Sequence, residues 1–159
     1  MIFVALGTQK FQFNRLLQMI DQLISNGKIV ESVFAQIGNS DYVPKNIQYT
    51  SFMSKFDFEK KIRECDVLIT HSGVATIITG LKYEKKVIVV PRLAKYEEHI
   101  DNHQVQIAEA FSEQNYVITY TENDSLEELI EKAKHCEFAK YTSQRKQMVE
   151  TIESFILKI

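Results

Sequence analysis

The chain has 159 residues, of which 45% are hydrophobic and 25% charged, with a formal net charge of −2. This is the length of one domain and the composition of an ordinary globular protein, large enough to bury a core without disulfides or a structural metal. The charge balance argues against a basic nucleic-acid-binding surface. The two cysteines, Cys65 and Cys136, match no metal spacing and give no sign of an oxidising compartment.

Ile2 to Leu6 is a continuous apolar run, the pattern of a strand covered on both faces. It is too short for a signal-peptide core and has no basic leader. No stretch reaches the roughly 20 apolar residues of a membrane span, so the expected location is cytoplasmic. After a turn at Gly7-Thr8-Gln9, Phe13, Leu16, Leu17, Ile20, Leu23 and Ile24 recur at helical spacing, and Asn26-Gly27 ends that helix. Strands are predicted at Ser32 to Ile37 and Ile47 to Phe52. A helix from about Lys55 to Cys65 leads into the strand Val67 to Thr70.

His71-Ser72-Gly73 is a second turn, followed by a helix over Val74 to Tyr83. Lys86 to Val90 is a β-branched strand stopped by Pro91. A polar loop runs to about Ile100, a helix to about Glu113, and a strand from Tyr116 to Tyr120. Ser125 with Glu128 reads as a capping box for the next helix. A long terminal helix is predicted from about Lys140. Its residues Val149, Ile152, Phe155, Ile156 and Ile159 form an apolar stripe, which suits packing on the chain's own sheet or docking of a partner. Strand and helix alternate throughout one domain, 1–159. That order predicts an α/β fold, a Rossmann-like parallel sheet with helices on both faces.

Ligands of open parallel sheets bind beyond the carboxyl ends of the strands, and three such ends carry unusual polar residues. At Gly7-Thr8-Gln9, glycine permits a tight turn and the Thr8 hydroxyl could meet a phosphate, but on this motif alone a plain strand-to-helix turn is the favoured reading. Thr70-His71-Ser72-Gly73-Val74-Ala75-Thr76 places small residues at a helix start, where free amides and the hydroxyls of Ser72 and Thr76 suit an anion. It is neither a Walker loop nor GxGxxG, and Ser72 could simply cap the helix while His71 packs. Pro91-Arg92 and then Glu97 to Gln104 form the third group. His99 and His103 are four apart, but His99 precedes the helix and no third metal ligand is evident. Asn102, His103 and Gln104 offer donors and acceptors suited to a polyhydroxylated ligand, or to a solvated helix start.

Together, Asp66-Val-Leu-Ile-Thr-His-Ser-Gly-Val-Ala-Thr76, Lys86-Val-Ile-Val-Val-Pro-Arg92 and Glu98-His-Ile-Asp-Asn-His-Gln104 resemble the C-terminal domain of family 28 glycosyltransferases. The resemblance covers nearly the whole chain. It is closer to the split members, in which the donor-binding domain is a separate short chain. These include the soluble subunit of the dolichol-linked N-acetylglucosaminyltransferase and bacterial counterparts in capsule and exopolysaccharide synthesis.

The resemblance implies the C-terminal half of a GT-B fold, a UDP-sugar donor and a glycosyltransferase needing no metal or other cofactor. It implies that Thr8 lies near the diphosphate, that the Met53 backbone meets the uracil and that Ser72 to Thr76 cradle the diphosphate. It also implies that His103 and Gln104 reach the donor sugar. Gly7, Gln9, His71, Arg92, His99 and Asn102 complete the expected substrate-binding set. Where many members carry a ribose-binding glutamate this chain has Thr79, so Glu97 or Glu98 is the candidate substitute. The implied partner is a membrane-anchored, acceptor-binding subunit that recruits the chain to the inner face of the membrane. Without it, an exposed terminal stripe would favour self-association. Two other readings fit the residues: a non-catalytic nucleotide-binding module, and a sugar-nucleotide epimerase or hydrolase using His99 or His103.

Overall fold

The structure is a computed structural model that describes residues 1–143 and Glu153. Among the described residues, six strands form one parallel sheet: β1 (Ile2–Ala5), β2 (Val33–Gln36), β3 (Gln48–Thr50), β4 (Val67–Thr70), β5 (Lys86–Val89) and β6 (Ile118–Thr119). Among the described residues, the strands are accompanied by the helices α1 (Asn14–Ser25), α2 (Lys55–Glu64), α3 (Val74–Lys82), α4 (His103–Glu113) and α5 (Leu126–His135). The strand order is β3-β2-β1-β4-β5-β6. The chain therefore winds outward from β1 in one direction and from β4 in the other, the doubly wound Rossmann arrangement.

The apolar runs fold this way because both faces of the sheet are covered. Ile2, Val4 and Leu6 join Leu16, Leu17 and Ile20 of α1 and Leu126 and Ile130 of α5 in one core. Phe3 and Ala5, alternating with them, join Ile62 of α2, Ile77 and Leu81 of α3 and Ala108 of α4 in the other. Residues two apart on a strand share a face, so one apolar run supplies both cores. Cys65 is buried where α2 ends, and Cys136 is half-buried.

The sheet ends are shorter than the sequence predicts. β3 and β6 have three and two residues, since each is an edge strand paired on one side only. α4 begins at His103, because the preceding loop holds a 3₁₀ turn (Ala94–Tyr96) and a left-handed Glu97, φ +58°. Ser125 stands at the start of α5, but its hydroxyl makes no cap bond, so the predicted capping box with Glu128 is not formed. Residues 136–143 are irregular, so no helix starts at Lys140; the apolar stripe of 149–159 lies outside the described residues. Among the described residues no helix is long and apolar enough to cross a membrane.

Asp21, on α1, is 3% exposed and fastens the loop leading into β3. It accepts from the Tyr42 hydroxyl at 2.6 Å and from the Lys45 and Asn46 amides at 2.8 and 2.7 Å. Burial pushes its pKa up, but these hydrogen bonds outweigh it and hold the carboxyl below its ordinary value. Asp21→Ala should therefore lower stability at neutral pH by about 2 kcal/mol in urea titrations. A depressed folded pKa means that the stabilisation is complete above the unfolded carboxylate range. It disappears as pH falls through the folded value, so the two proteins should converge in acid.

Candidate functional site

Because every strand is parallel, the segments after β1, β3, β4 and β5 emerge at one end of the sheet. The winding reverses between β1 and β4, which leaves a crevice between the Gly7 turn and the His71 turn. His71 joins these two turns. Its imidazole lies between two glycines, so close that a Cβ on Gly7 would stand 2.5 Å from Nε2 and one on Gly73 would stand 2.6 Å from it. Gly7 also has φ +78°, a backbone that only glycine adopts without strain. The ring is buried, and burial together with the charge of Arg92 lowers its pKa to about 4. His71 is a neutral imidazole at physiological pH.

Gln104 holds this arrangement from α4. Its Oε1 accepts from the Ser72 amide at 3.2 Å and the Arg92 amide at 3.0 Å, while its Nε2 lies 3.1 Å from His71 Nδ1. The third loop is thereby tied to the second. Gln104 is 4% exposed and both ends of its amide are held by protein groups, whereas the resemblance implies a side chain that reaches a donor sugar.

Arg92 also turns inward. It is 1% exposed and donates to the carbonyls of Leu6 (2.6 Å), Phe11 (3.1 Å), Gln12 (3.0 Å) and Glu98 (3.2 Å). Burial lowers its pKa to about 10, opposed by Glu98, so it remains cationic at neutral pH. Direct side-chain contact with a ligand is not what this geometry offers. Glu98, fully buried, pairs with Arg15 at 2.8 and 3.0 Å and accepts from the Leu93 amide at 2.9 Å, which removes it as the ribose-binding substitute. Glu97 is exposed.

The remaining predicted residues lie at the same end of the sheet with less constraint. Thr8 and Gln9 are exposed, and their carbonyls accept from Asn39 at 3.4 and 2.7 Å. Met53 is half-buried against the second core, at the junction of β3 and α2. Val74 and Ala75 are exposed and Thr76 half-buried in the first turn of α3, where the first amides of a helix have no intrahelical acceptor. The buried Ser72 hydroxyl makes no hydrogen bond within the described residues. Asn102 caps back onto the Ala94 amide at 2.9 Å, and the exposed His103 meets Gln106 at 3.1 Å. His99 stacks near Phe11, 5.6 Å between ring centres, and meets Asp101 at 3.1 Å. Among the described residues no group of three His, Cys, Asp or Glu could hold a metal.

Sequence reading missed Gln36. Its amide donates to the carbonyls of Gly7 at 2.9 Å and Ser51 at 3.0 Å, joining the segments after β1 and β3. A lone polar residue in the apolar stretch Val33-Phe-Ala-Gln-Ile37 is the signal that could have found it. It also missed Arg15 and Asn39, which no local pattern marks.

Two substitutions test the His71 clasp. Gly7→Ala should lose at least about 1–2 kcal/mol from its left-handed backbone alone. Gly73→Ala has an unstrained backbone, φ −75°, and isolates the ring contact. It should still cost roughly 1–3 kcal/mol by overpacking. A Gly73→Ala protein with an unchanged urea midpoint would show that the ring moves freely aside.

Comparison with known proteins adds a family to this geometry. Residues 1–158 match the glycosyltransferase family 28 C-terminal domain. The chain is 28% identical over 104 residues to the UDP-N-acetylglucosamine transferase subunit ALG13 of Candida albicans, covering 65% of this chain and 34% of that protein. It is 24% identical over 131 residues to the ALG13 of Mus musculus, covering 75% of this chain and 10% of that one. The chain thus spans about a third and a tenth of these relatives. Among solved structures it resembles the glycotransferase of kitacinnamycin, with a TM-score of 0.61 at 15% identity over 86% of this chain and 35% of that one. It also resembles MurG of Acinetobacter baumannii, with a TM-score of 0.55 at 17% identity over 81% and 39%. These are GT-B glycosyltransferases, and the likeness is one of fold.

Proposed function

This chain belongs to the glycosyltransferase family 28 C-terminal domain family, and from that premise we propose that it is the UDP-sugar-binding subunit of a two-component glycosyltransferase. Its partner is a membrane-anchored subunit that binds a lipid-linked acceptor, in the synthesis of a capsule or exopolysaccharide. The chain works in the cytoplasm and is recruited to the inner face of the membrane by that partner. The terminal segment 140–159 contributes to the docking.

One observation carries this reading: the clasp of His71 between Gly7 and Gly73 brings two turns and the first turn of α3 together at the switch point. The arrangement is suited to the diphosphate of a sugar nucleotide. Helix amides, the Ser72 and Thr76 hydroxyls and a neutral imidazole stabilise negative charge by hydrogen bonding. In the reaction, an acceptor oxygen bonds to the anomeric carbon and UDP leaves with the electrons of the broken bond. Charge builds on the departing diphosphate, where α3 points its positive end. The proton of the acceptor hydroxyl passes to a base on the partner. Thr8 lies beside the diphosphate, the Met53 backbone at the uracil and His103 toward the sugar. Thr79 bonds back to the Ala75 carbonyl at 2.8 Å, so the ribose is held without the usual glutamate, with the exposed Glu97 as candidate.

Calorimetry with UDP tests the site. The protein should bind UDP, and Thr76→Ala should weaken binding about tenfold, the effect of losing one hydrogen bond to a charged group. Equal affinities would remove Thr76 from the phosphate site. A transfer assay with radiolabelled UDP-sugar tests the division of labour, since efficient transfer needs both substrates held in line. Product should form only when the membrane subunit is present. Release of free sugar by the chain alone would favour a hydrolase, and inertness with every acceptor subunit would favour a binding module.

A further inference from the structure

Gln104 makes three contacts, and two of them fix the chemistry of the third. Its Oε1 faces two backbone N–H groups, those of Ser72 and Arg92. Turning the amide over would set its NH₂ against both donors, so the orientation is dictated by the backbone. The NH₂ group must then be what faces His71 Nδ1 at 3.1 Å, and a donor there requires Nδ1 to be the unprotonated nitrogen. The proton of the neutral ring lies on Nε2. That nitrogen is the one wedged between Gly7 and Gly73.

We propose that Gln104 is a positioning residue that locks His71 in its Nε2–H tautomer, so that the imidazole presents a hydrogen-bond donor where the two glycine turns meet. The locked ring serves an anionic ligand, and this part rests on the donor-site reading above. A ring in the opposite tautomer would turn a lone pair toward that anion and repel it. The lock explains why an amide, and not a carboxylate, stands at position 104. Both are shaped to accept from two amides, but only the amide can also donate to Nδ1. The charged and titratable groups that face His71 are Arg92 and His99, both of the loop between β5 and α4, and both oppose protonation of the ring.

The test is imidazole NMR on the full chain labelled with ¹⁵N-histidine, in which long-range ¹H–¹⁵N correlations distinguish the tautomers. With four histidines the spectrum is simple, and His71→Asn identifies the resonance. Wild type should show His71 as Nε2–H, without titration across the usual histidine range of about pH 5–8. Gln104→Glu keeps an oxygen that accepts from both backbone N–H groups and places the other carboxylate oxygen against Nδ1. His71 should then carry a proton on Nδ1, with its pKa raised into or above that range. UDP affinity relative to wild type at the same pH should fall about tenfold at the alkaline end, where the ring has lost its Nε2 proton, and recover in acid, where imidazolium has both. An Nδ1–H tautomer in wild type overturns the proposal without any variant. So does a His71 signal that Gln104→Glu leaves unmoved. The expected tautomers combined with no UDP affinity in either protein would establish the lock and overturn the donor-site reading.

Discussion

A buried cation organises the working end of this sheet. The Arg92 guanidinium lies among carbonyls contributed by Leu6, Phe11, Gln12 and Glu98, and its ring-facing side rests on Phe13, 5.0 Å from the ring centre. Removing such a charge from water is expensive unless it is well hydrogen-bonded, so the loops must stay where their carbonyls can receive it. The Gly7 turn and the loop before α4 are about 80 residues apart in sequence, yet this one side chain fixes their separation. Glu98 and Arg15 extend the network, and Gln104 carries it to the His71 turn. These contacts are made within the protein itself, the kind of preorganisation that the proposed stabilisation of a leaving group would use.

The layered fold was legible because its causes are local. The strand Val67–Thr70 has the predicted boundaries, since an apolar run between Asp66 and His71 allows no other reading. The helices α1, α2 and α3 follow from spacing and turn residues within a residue or two. β6 shrank from five residues to two, because pairing on one side supports less strand than side-chain pattern alone suggests.

The site was legible as a place but less so as a set of roles. Arg92, Glu98 and Gln104 are polar residues beyond a strand, where ligand contact and loop lacing draw on the same residue types. The difference depends on which carbonyl or amide lies opposite, often across about 80 positions of sequence, and such pairs leave no periodicity. Asp21 shows the same limit on a helix. Its neighbours Met19, Gln22 and Leu23 gave no sign that a carboxylate there would be buried beneath the Tyr42 loop.

The brevity of the outermost strands decides how this molecule can meet another. β3 and β6 present three and two residues at the margins of the sheet. A partner that extends a sheet by adding its own strand draws its affinity from a row of main-chain hydrogen bonds, and so short a row gives it little to grip. Association must then pass through side chains on loops and helices. An interface of that kind is governed by shape and charge, can be altered one residue at a time, and gives copies of the chain little purchase for stacking edge to edge.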